Sequence, residues 1–286
     1  MNILEEKNMF EFDSGKSGEK VCILAGVHGN EMGGIEALKL IIQKFEDRII
    51  KLKKGKIVFV LANPKAIEKN VRFIEENLNR CFVENKLKTN SYEEKLSFDL
   101  KNIFESCDIC LDLHSSFVKD SKPFIICEEN AFDLVQSFPM EIICSGFDLI
   151  QPGGTDYYMN RIGKIGLCVE CGFLEDEESI NLAENIMLSL LRNLDMISNG
   201  FVNYNLKIDK KKYYQVRELY CTNDEFRLLK EFKDFEAVCK NQSIGTDGKN
   251  QIKSNYDGFI LFARDVLRDS LDREAFLLGQ ENKRNI

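Results

Sequence analysis

Long apolar runs, an excess of basic residues and low-complexity segments are all missing from this sequence. No apolar run approaches the about 20 residues that a membrane-spanning helix needs, so we expect no membrane partner. Lysine and arginine number 39 against 47 aspartates and glutamates, a formal net charge of −8. Because nucleic-acid binding depends on basic clusters that neutralise phosphates, we expect no nucleic-acid partner either. With only four prolines and 44% hydrophobic residues, the composition is typical of an ordinary globular protein.

The N-terminus does not resemble a secretory signal, because it has no continuous apolar segment. Ten cysteines nevertheless occur, several of them inside apolar runs such as residues 21–27. Without a signal peptide, such cysteines are typical of small buried hydrophobic residues in a reducing compartment rather than of disulfides. The sequence therefore predicts a cytoplasmic location.

Short apolar runs rich in β-branched residues alternate with longer segments of helical periodicity in the first 200 residues. Strands are predicted at residues 21–27, 57–62, 109–113, 124–127 and 167–169. Helices, with apolar side chains at every third or fourth position, are predicted at residues 31–47, 92–106 and 178–198. The alternation predicts an α/β fold in which helices cover a mostly buried sheet.

The pattern changes after Asn199-Gly200 to shorter alternating segments, such as residues 213–219 and 258–263, which turn residues separate. We therefore predict an α/β domain over residues 1–200 and a smaller β-rich domain over residues 201–286.

The chain has only two histidines, and each follows a predicted strand: His28 follows residues 21–27 and His114 follows residues 109–113. Ligands of open α/β sheets bind beyond the carboxyl ends of the strands, so both imidazoles are expected at one rim. Glu31, three residues after His28, is close enough to share a metal ion with it. Two imidazoles and one carboxylate, with a position left for water, form a standard ligand set of catalytic zinc. The alternative is a pair of unrelated loop or core histidines.

Glu170 ends the apolar run at residues 167–169, where a carboxylate is costly to bury unless a function uses it. A glutamate beside an attacking water can take its proton and pass it to a departing amine. The alternative is a strand-end glutamate that pairs with a nearby lysine.

Arg72 and Arg80 belong to residues 70–82, a segment that mixes charged residues and asparagines without an apolar face. It is predicted to be an irregular loop. A guanidinium suits carboxylate recognition because its planar fork donates two parallel hydrogen bonds. Without further context, ordinary surface charges explain both arginines equally well.

Two C-x-x-C spacings, Cys107 with Cys110 and Cys168 with Cys171, are typical of a redox dithiol or a four-cysteine zinc site. The pairs lie much farther apart than in a usual zinc ribbon. Positions i and i+3 of a strand also point to opposite faces, so Cys168 and Cys171 are badly placed to hold one metal ion. We expect no cysteine zinc site and keep redox function as the weaker alternative.

Four short segments, in order along the chain, resemble those of the aspartoacylase and succinylglutamate desuccinylase family within the zinc carboxypeptidase superfamily. They are Gly-Val-His-Gly-Asn-Glu at 26–31, Asn-Pro-Lys-Ala at 63–66 followed by Arg72 and Asn79-Arg80, Asp-Leu-His at 112–114, and Val-Glu-Cys-Gly at 169–172. One such segment alone is weak evidence, but all four in order make a specific match.

The resemblance implies a mixed central sheet flanked by helices, with a smaller β-rich C-terminal domain. It implies one zinc ion per chain, held by His28, Glu31 and His114, and it makes Glu170 the catalytic glutamate.

The resemblance also assigns substrate contacts. Arg72 is implied to polarise the scissile carbonyl, while Asn79 and Arg80 hold the substrate carboxylate. Tyr157 and Arg161 lie roughly where aspartoacylases have further substrate-binding residues, although Arg161 is one position out of register.

The implied reaction is that of a zinc-dependent amidohydrolase, a deacylase that cleaves a small N-acyl amino acid such as an N-acetylaspartate-like or N-succinylglutamate-like substrate. One alternative is a metallocarboxypeptidase that trims a peptide, which an open groove would favour. Another is a metal-binding regulatory protein without turnover, against which the retained Glu170 argues. The acyl group, the amino acid, the physiological metal and any homo-oligomer are left open.

Overall fold

The computed structural model of the protein describes residues 8–84, 89–119, 121–198 and 210–282. These residues form an eleven-stranded mixed sheet flanked by helices and a separate three-stranded antiparallel sheet. The predicted fold class is confirmed. The predicted domain boundary at Asn199-Gly200 lies outside the described residues and stays a prediction.

The N-terminal part, up to residue 198, supplies seven strands and six α-helices. The strands are β1 Met9–Asp13, β2 Lys20–Ala25, β3 Lys56–Leu61, β4 Ile109–Ser116, β5 Phe124–Cys127, β6 Ile142–Ser145 and β7 Ile165–Phe173. The helices are α1 Met32–Glu46, α2 Pro64–Lys69, α3 Tyr92–Glu105, α4 Phe147–Ile150, α5 Thr155–Arg161 and α6 Glu178–Asn193. Short 3-10 helices occur at Leu78–Arg80 and Glu129–Ala131.

The C-terminal part is built from strands: β8 Lys212–Cys221, β9 Phe226–Leu228, β10 Glu236–Val238, β11 Ser243–Asp247, β12 Asn250–Lys253, β13 Gly258–Leu261 and β14 Glu274–Glu281. The large sheet has the order β1-β3-β2-β4-β7-β5-β6-β8-β14-β13-β10, and the small one β12-β11-β9. Because β8 pairs with β6, the C-terminal strands extend the sheet of the N-terminal part.

All five predicted strands and all three predicted helices are confirmed, with shifted ends. Helix α6 stops at Asn193 rather than residue 198, because Asp195 adopts a left-handed φ of 52° that interrupts the helix. Strands β4 and β7 continue to Ser116 and Phe173, so His114 and Glu170 lie within strands rather than beyond them.

The central strands have apolar runs on both faces because helices cover both sides of the sheet. In β2, Ile23 packs in one hydrophobic cluster with α1 and α6. Its neighbours Cys22 and Leu24 pack in another cluster with α3 and α5. Alternation of side chains along a strand explains this division.

All ten cysteines are free thiols, and eight of them are buried. Cys168 and Cys171 belong to different hydrophobic clusters, as expected for positions i and i+3 of strand β7. Among the described helices, none is long and apolar enough to cross a membrane.

The irregular segment after α2 is held by a buried carboxylate at the start of α3. Glu93 is fully buried and accepts hydrogen bonds from the backbone N–H groups of Ile74 (2.7 Å), Glu75 (3.1 Å) and Glu76 (3.3 Å). It also accepts one from the Asn63 side chain at 3.2 Å. These donors compensate the cost of burying the charge.

We expect Glu93→Gln to destabilise the protein by about 2 to 3 kcal/mol, because an amide NH₂ would face backbone N–H donors. Chemical denaturation measures the change. Glu36→Gln on the exposed face of α1 is the matched control, with an expected loss of less than about 1 kcal/mol. Equal stability of the two variants would contradict a stabilising role for the hydrogen bonds that Glu93 accepts.

Candidate metal centre and active site

Parallel pairing brings the candidate residues to one rim of the sheet. Ala25 at the end of β2 is in register with Leu113 of β4, and His114 is in register with Glu170 of β7. Beyond β2 the chain turns at Gly26, whose φ of 75° favours glycine. At Gly29 an added Cβ would lie 2.1 Å from the Ala66 carbonyl carbon, so only glycine fits beside α2.

Two imidazoles meet the carboxylate of Glu31 at this rim. His28 Nδ1 lies 2.8 Å from Glu31 Oε1, and His114 Nδ1 lies 3.0 Å from Glu31 Oε2. All three side chains are buried, and one ligand atom from each lies within 4.8 Å of the others. The Ser115 backbone N–H also donates to Glu31 Oε2 at 3.1 Å.

The outer nitrogen of His28 has a partner that fixes its tautomer. His28 Nε2 lies 3.0 Å from Asn77 Oδ1, and that oxygen also accepts the Asn79 backbone N–H at 3.0 Å. Asn77 therefore presents an acceptor, and Nε2 of His28 carries the hydrogen. Burial, helped by Arg72, lowers the pKa of His28, which keeps the ring neutral. The Nδ1 lone pair thus points at a carboxylate oxygen, an arrangement that a cation between them stabilises.

His114 has a comparable carboxylate partner. Its Nε2 lies 2.9 Å from Asp112 Oδ2, which also accepts a hydrogen bond from Thr155 Oγ1 at 2.7 Å. Burial alone would lower the pKa of His114, but Asp112 and Glu31 outweigh it and raise the pKa. A carboxylate behind a ligating histidine is a common arrangement in metal sites because it orients the ring. The side chains of His28, Glu31 and His114 therefore fit a divalent metal ion such as zinc.

A second group of candidate ligands shares His114 with Asp112 and Cys168. Burial, with the nearby charge of Asp156, raises the pKa of the Cys168 thiol well above its usual range. Since the thiolate is the metal ligand, this group is the weaker candidate.

Glu170 lies in the same cleft and is also buried, with its Oε2 atom lacking a hydrogen-bond partner among the described residues. Burial raises the pKa of Glu170 to about 8, against the opposing influence of His114 and with added repulsion from Glu31. A carboxyl group that exchanges its proton near neutral pH suits general acid and base catalysis.

The cleft, together with the solvent at its mouth, encloses about 780 Å³ of space between the atoms of its walls. Most of the site residues predicted from the sequence line it: His28, Glu31, Arg72, Asn79, Arg80, His114 and Glu170. Tyr157 and Arg161 do not. The Arg161 side chain is 53% exposed, and its Nη2 lies 3.0 Å from Glu84 Oε2.

Arg80 forms an ion pair with Glu274 of the C-terminal part. Its Nε and Nη2 atoms donate to the two carboxylate oxygens of Glu274, each at 2.6 Å, in a bidentate pair. Its Nη1 donates to the Asn79 carbonyl at 2.6 Å, and Gln151 also donates to Glu274 at 2.7 Å.

The other two arginines of the cleft share one acid. Arg264 Nη2 lies 2.6 Å from Asp272 Oδ2, and Arg72 Nε lies 3.9 Å from the same oxygen. Arg72 also donates to Glu31 Oε1 at 3.3 Å.

Sequence reasoning missed the contribution of Gln151, Arg264, Asp272 and Glu274. The available signal was weak: Arg264 follows the apolar run at 258–263, and Glu274 precedes the one at 275–278. Charged residues flank most strands, so position alone did not single these out.

Comparison with known proteins places the candidate site in a family context. Residues 17–194 match the model of the succinylglutamate desuccinylase/aspartoacylase catalytic domain. A probable aspartoacylase from Nostoc is 24% identical over 63% of this chain, and the match spans 66%, just under two thirds, of that protein. The solved structure of succinylglutamate desuccinylase from Vibrio cholerae is similar with a TM-score of 0.78, at 19% identity, over 96% of this chain and 85% of that one.

We expect Asn77→Ala to weaken the binding of added zinc to the candidate site by about 10- to 100-fold, because the partner that fixes the His28 tautomer is removed. Competition with a fluorescent chelator measures the affinity. Asn255→Ala, which removes an exposed amide that bonds Glu218, should leave it unchanged. An unaltered zinc affinity in Asn77→Ala would show that metal binding does not depend on the hydrogen bond between Asn77 and His28.

Proposed function

The chain belongs to the succinylglutamate desuccinylase and aspartoacylase family, and from this we propose that it is a zinc-dependent deacylase of small N-acyl amino acids. The observation that carries the proposal is the meeting of two imidazole nitrogens with Glu31 beside the buried carboxyl group of Glu170. The names of the relatives, aspartoacylase and succinylglutamate desuccinylase, support the same class of reaction.

His28, Glu31 and His114 would hold the zinc ion, which when bound supplies a Lewis acid that polarises a carbonyl and makes water more acidic. Glu170 takes a proton from the attacking water while the water oxygen bonds to the acyl carbon. Glu170 then returns the proton to the amine nitrogen as the carbon–nitrogen bond breaks. The products are a free acid and a free amino acid.

The arginines and Asn79 orient the substrate in this proposal. Arg72, next to Glu31, donates to the oxygen of the scissile carbonyl as negative charge develops there. Asn79 Oδ1 accepts the Thr155 backbone N–H at 3.1 Å, so the group that Asn79 offers a carboxylate is its Nδ2 amino group. Arg80 anchors the same carboxylate with the N–H groups that Glu274 and the Asn79 carbonyl do not use.

A metallocarboxypeptidase that acts on peptides is the alternative enzyme. Two features support the smaller substrate: the Arg80–Glu274 pair ties the loop after α2 to strand β14, and C-terminal residues such as Phe262 line the cleft. A regulatory protein without turnover is the other alternative, and the retained Glu170 argues against it. We keep the cytoplasmic location as part of the proposal, since all ten cysteines are free thiols.

Elemental analysis should find about one zinc ion per chain, and removal of the metal with a chelator should abolish amide hydrolysis until zinc is restored. His28→Ala or His114→Ala should remove most of the zinc. Cys168→Ser is the control and should keep it, because the thiol is not a ligand in this proposal. Full metal retention in either histidine variant would refute the ligand set.

Glu170→Gln keeps the shape of the side chain but removes the base. Hydrolysis of an N-acyl amino acid should fall by about 100-fold or more with zinc content unchanged, the effect expected from losing general acid and base catalysis. Glu175→Gln, exposed just beyond β7, should have normal turnover. Near-normal turnover in Glu170→Gln would remove Glu170 from the mechanism.

A further inference from the structure

One wall of the cleft is apolar. Five of the residues that line it belong to a single hydrophobic cluster: Ile126, Phe147, Leu219, Phe262 and Leu277. Phe117 extends this wall, with its ring centroid 6.2 Å from that of Phe262. An apolar surface of this kind binds a substrate group that gains from leaving water.

Phe262 in this wall has an unusual backbone conformation. Its φ of 54° lies in the left-handed region, which a bulky residue adopts only when its surroundings impose it. The Phe262 backbone N–H donates to the buried carboxylate of Asp234 at 2.9 Å. Asp234 is tied in turn to the end of β4, because it accepts a hydrogen bond from Ser116 Oγ at 2.8 Å.

The arginines of the cleft, by contrast, already have acidic partners. Glu274 pairs with Arg80, Asp272 with Arg264, and Glu31 with Arg72. Arg161, which the sequence suggested for substrate binding, lies outside the cleft and pairs with Glu84. A second carboxylate on the substrate would have to share an arginine that already has an acidic partner, which is unfavourable in a buried site.

One carboxylate can still be recognised. A guanidinium has five N–H donors, and hydrogen bonds to described residues use three of those of Arg80. The remaining two and the Nδ2 amino group of Asn79 suffice for one carboxylate. Phe276 and Leu277 of the cleft lie two and three residues after Glu274 on β14, so apolar surface adjoins this anchor.

We infer that the amino-acid half of the substrate carries one carboxylate and a bulky apolar side chain, an N-acyl phenylalanine or leucine rather than an N-acyl aspartate or glutamate. This inference rests on the proposed deacylase function. It makes the C-terminal part a source of specificity, through Leu219, Phe262 and Leu277 of the apolar wall and through Glu274, which already pairs with the arginine that an acidic side chain would need.

The test compares N-acetyl-L-phenylalanine and N-acetyl-L-leucine with N-acetyl-L-aspartate and N-acetyl-L-glutamate on the zinc-loaded wild-type protein. Because a buried aromatic ring gains much from leaving water, kcat/KM should favour phenylalanine over aspartate by at least about tenfold. N-benzoyl-L-aspartate, which has its aromatic ring on the acyl group, tests whether the apolar wall binds the acyl group rather than the amino-acid side chain. A preference for an acidic amino acid, or for the benzoyl compound, overturns the inference.

Glu274→Gln keeps the size of the side chain but returns the charge of Arg80 to the cleft. The ratio of kcat/KM for the aspartate substrate to that for the phenylalanine substrate should rise by about tenfold, since an ion pair becomes available. Glu281→Gln removes an exposed acid from the far end of the same strand and should leave the ratio unchanged. An unchanged ratio in Glu274→Gln contradicts the role of Glu274.

Phe262→Leu tests the apolar wall. It should lower kcat/KM for N-acetyl-L-phenylalanine by at least about fourfold, the factor of one lost CH₂ contact. Phe235→Leu is the matched control, because Phe235 also has a left-handed φ, of 63°, but does not line the cleft. An equal loss in both variants would show that the effect is one of stability.

Calorimetric binding to the Glu170→Gln protein separates the two proposals. Tighter binding of N-acetyl-L-phenylalanine without hydrolysis of any substrate by the wild type would refute the deacylase and support the specificity. Hydrolysis with a preference for acidic substrates would support the deacylase and refute the specificity. The absence of both turnover and preferential binding would refute both.

Discussion

The candidate site depends on one arrangement: the Glu31 carboxylate lies between Nδ1 of His28 and Nδ1 of His114. Parallel pairing of β2 with β4 sets the distance between His28 and His114. Asn77 and Asp112 act behind the rings and determine which nitrogen faces the carboxylate. This group of side chains is stable with a proton or a metal cation between the imidazole nitrogens and the carboxylate.

The two parts of the chain contribute different properties to the cleft. The turn after β2, strands β4 and β7, and the loop after α2 carry the groups suited to metal binding and proton transfer. The C-terminal part carries Glu274 and Asp272, which pair with Arg80 and Arg264, and Leu219, Phe262 and Leu277 of the apolar wall. The candidate metal ligands and the residues that surround the substrate thus come largely from different segments of the chain. Substitutions in the C-terminal part can therefore change substrate specificity without altering the metal ligands.

Much of the fold was predictable because local periodicity records burial. Strands buried on both faces have continuous apolar runs, and the helices that cover them have apolar stripes. Strands β1 and β6 were missed. β1 pairs on one side only, at an edge of the sheet, so its half-buried residues form no continuous apolar run. β6 is as short and as buried as β5, so its apolar residues could have been recognised in the sequence. The end of α6 depended on the backbone conformation of Asp195, which no periodicity reveals.

The sequence by itself determined which side chains gather at the rim, since His28, His114 and Glu170 are positioned near the ends of strands that parallel pairing aligns. The sequence did not determine which arginines are free to bind a substrate carboxylate. Arg80 pairs with Glu274, 194 residues away, and Arg161 pairs with Glu84 outside the cleft. Local patterns record how each segment is buried, whereas an ion pair between distant segments exists only after the sheet has joined β8 and β14 to the strands of the N-terminal part. The charge and the shape of the cleft were therefore decided by tertiary structure alone.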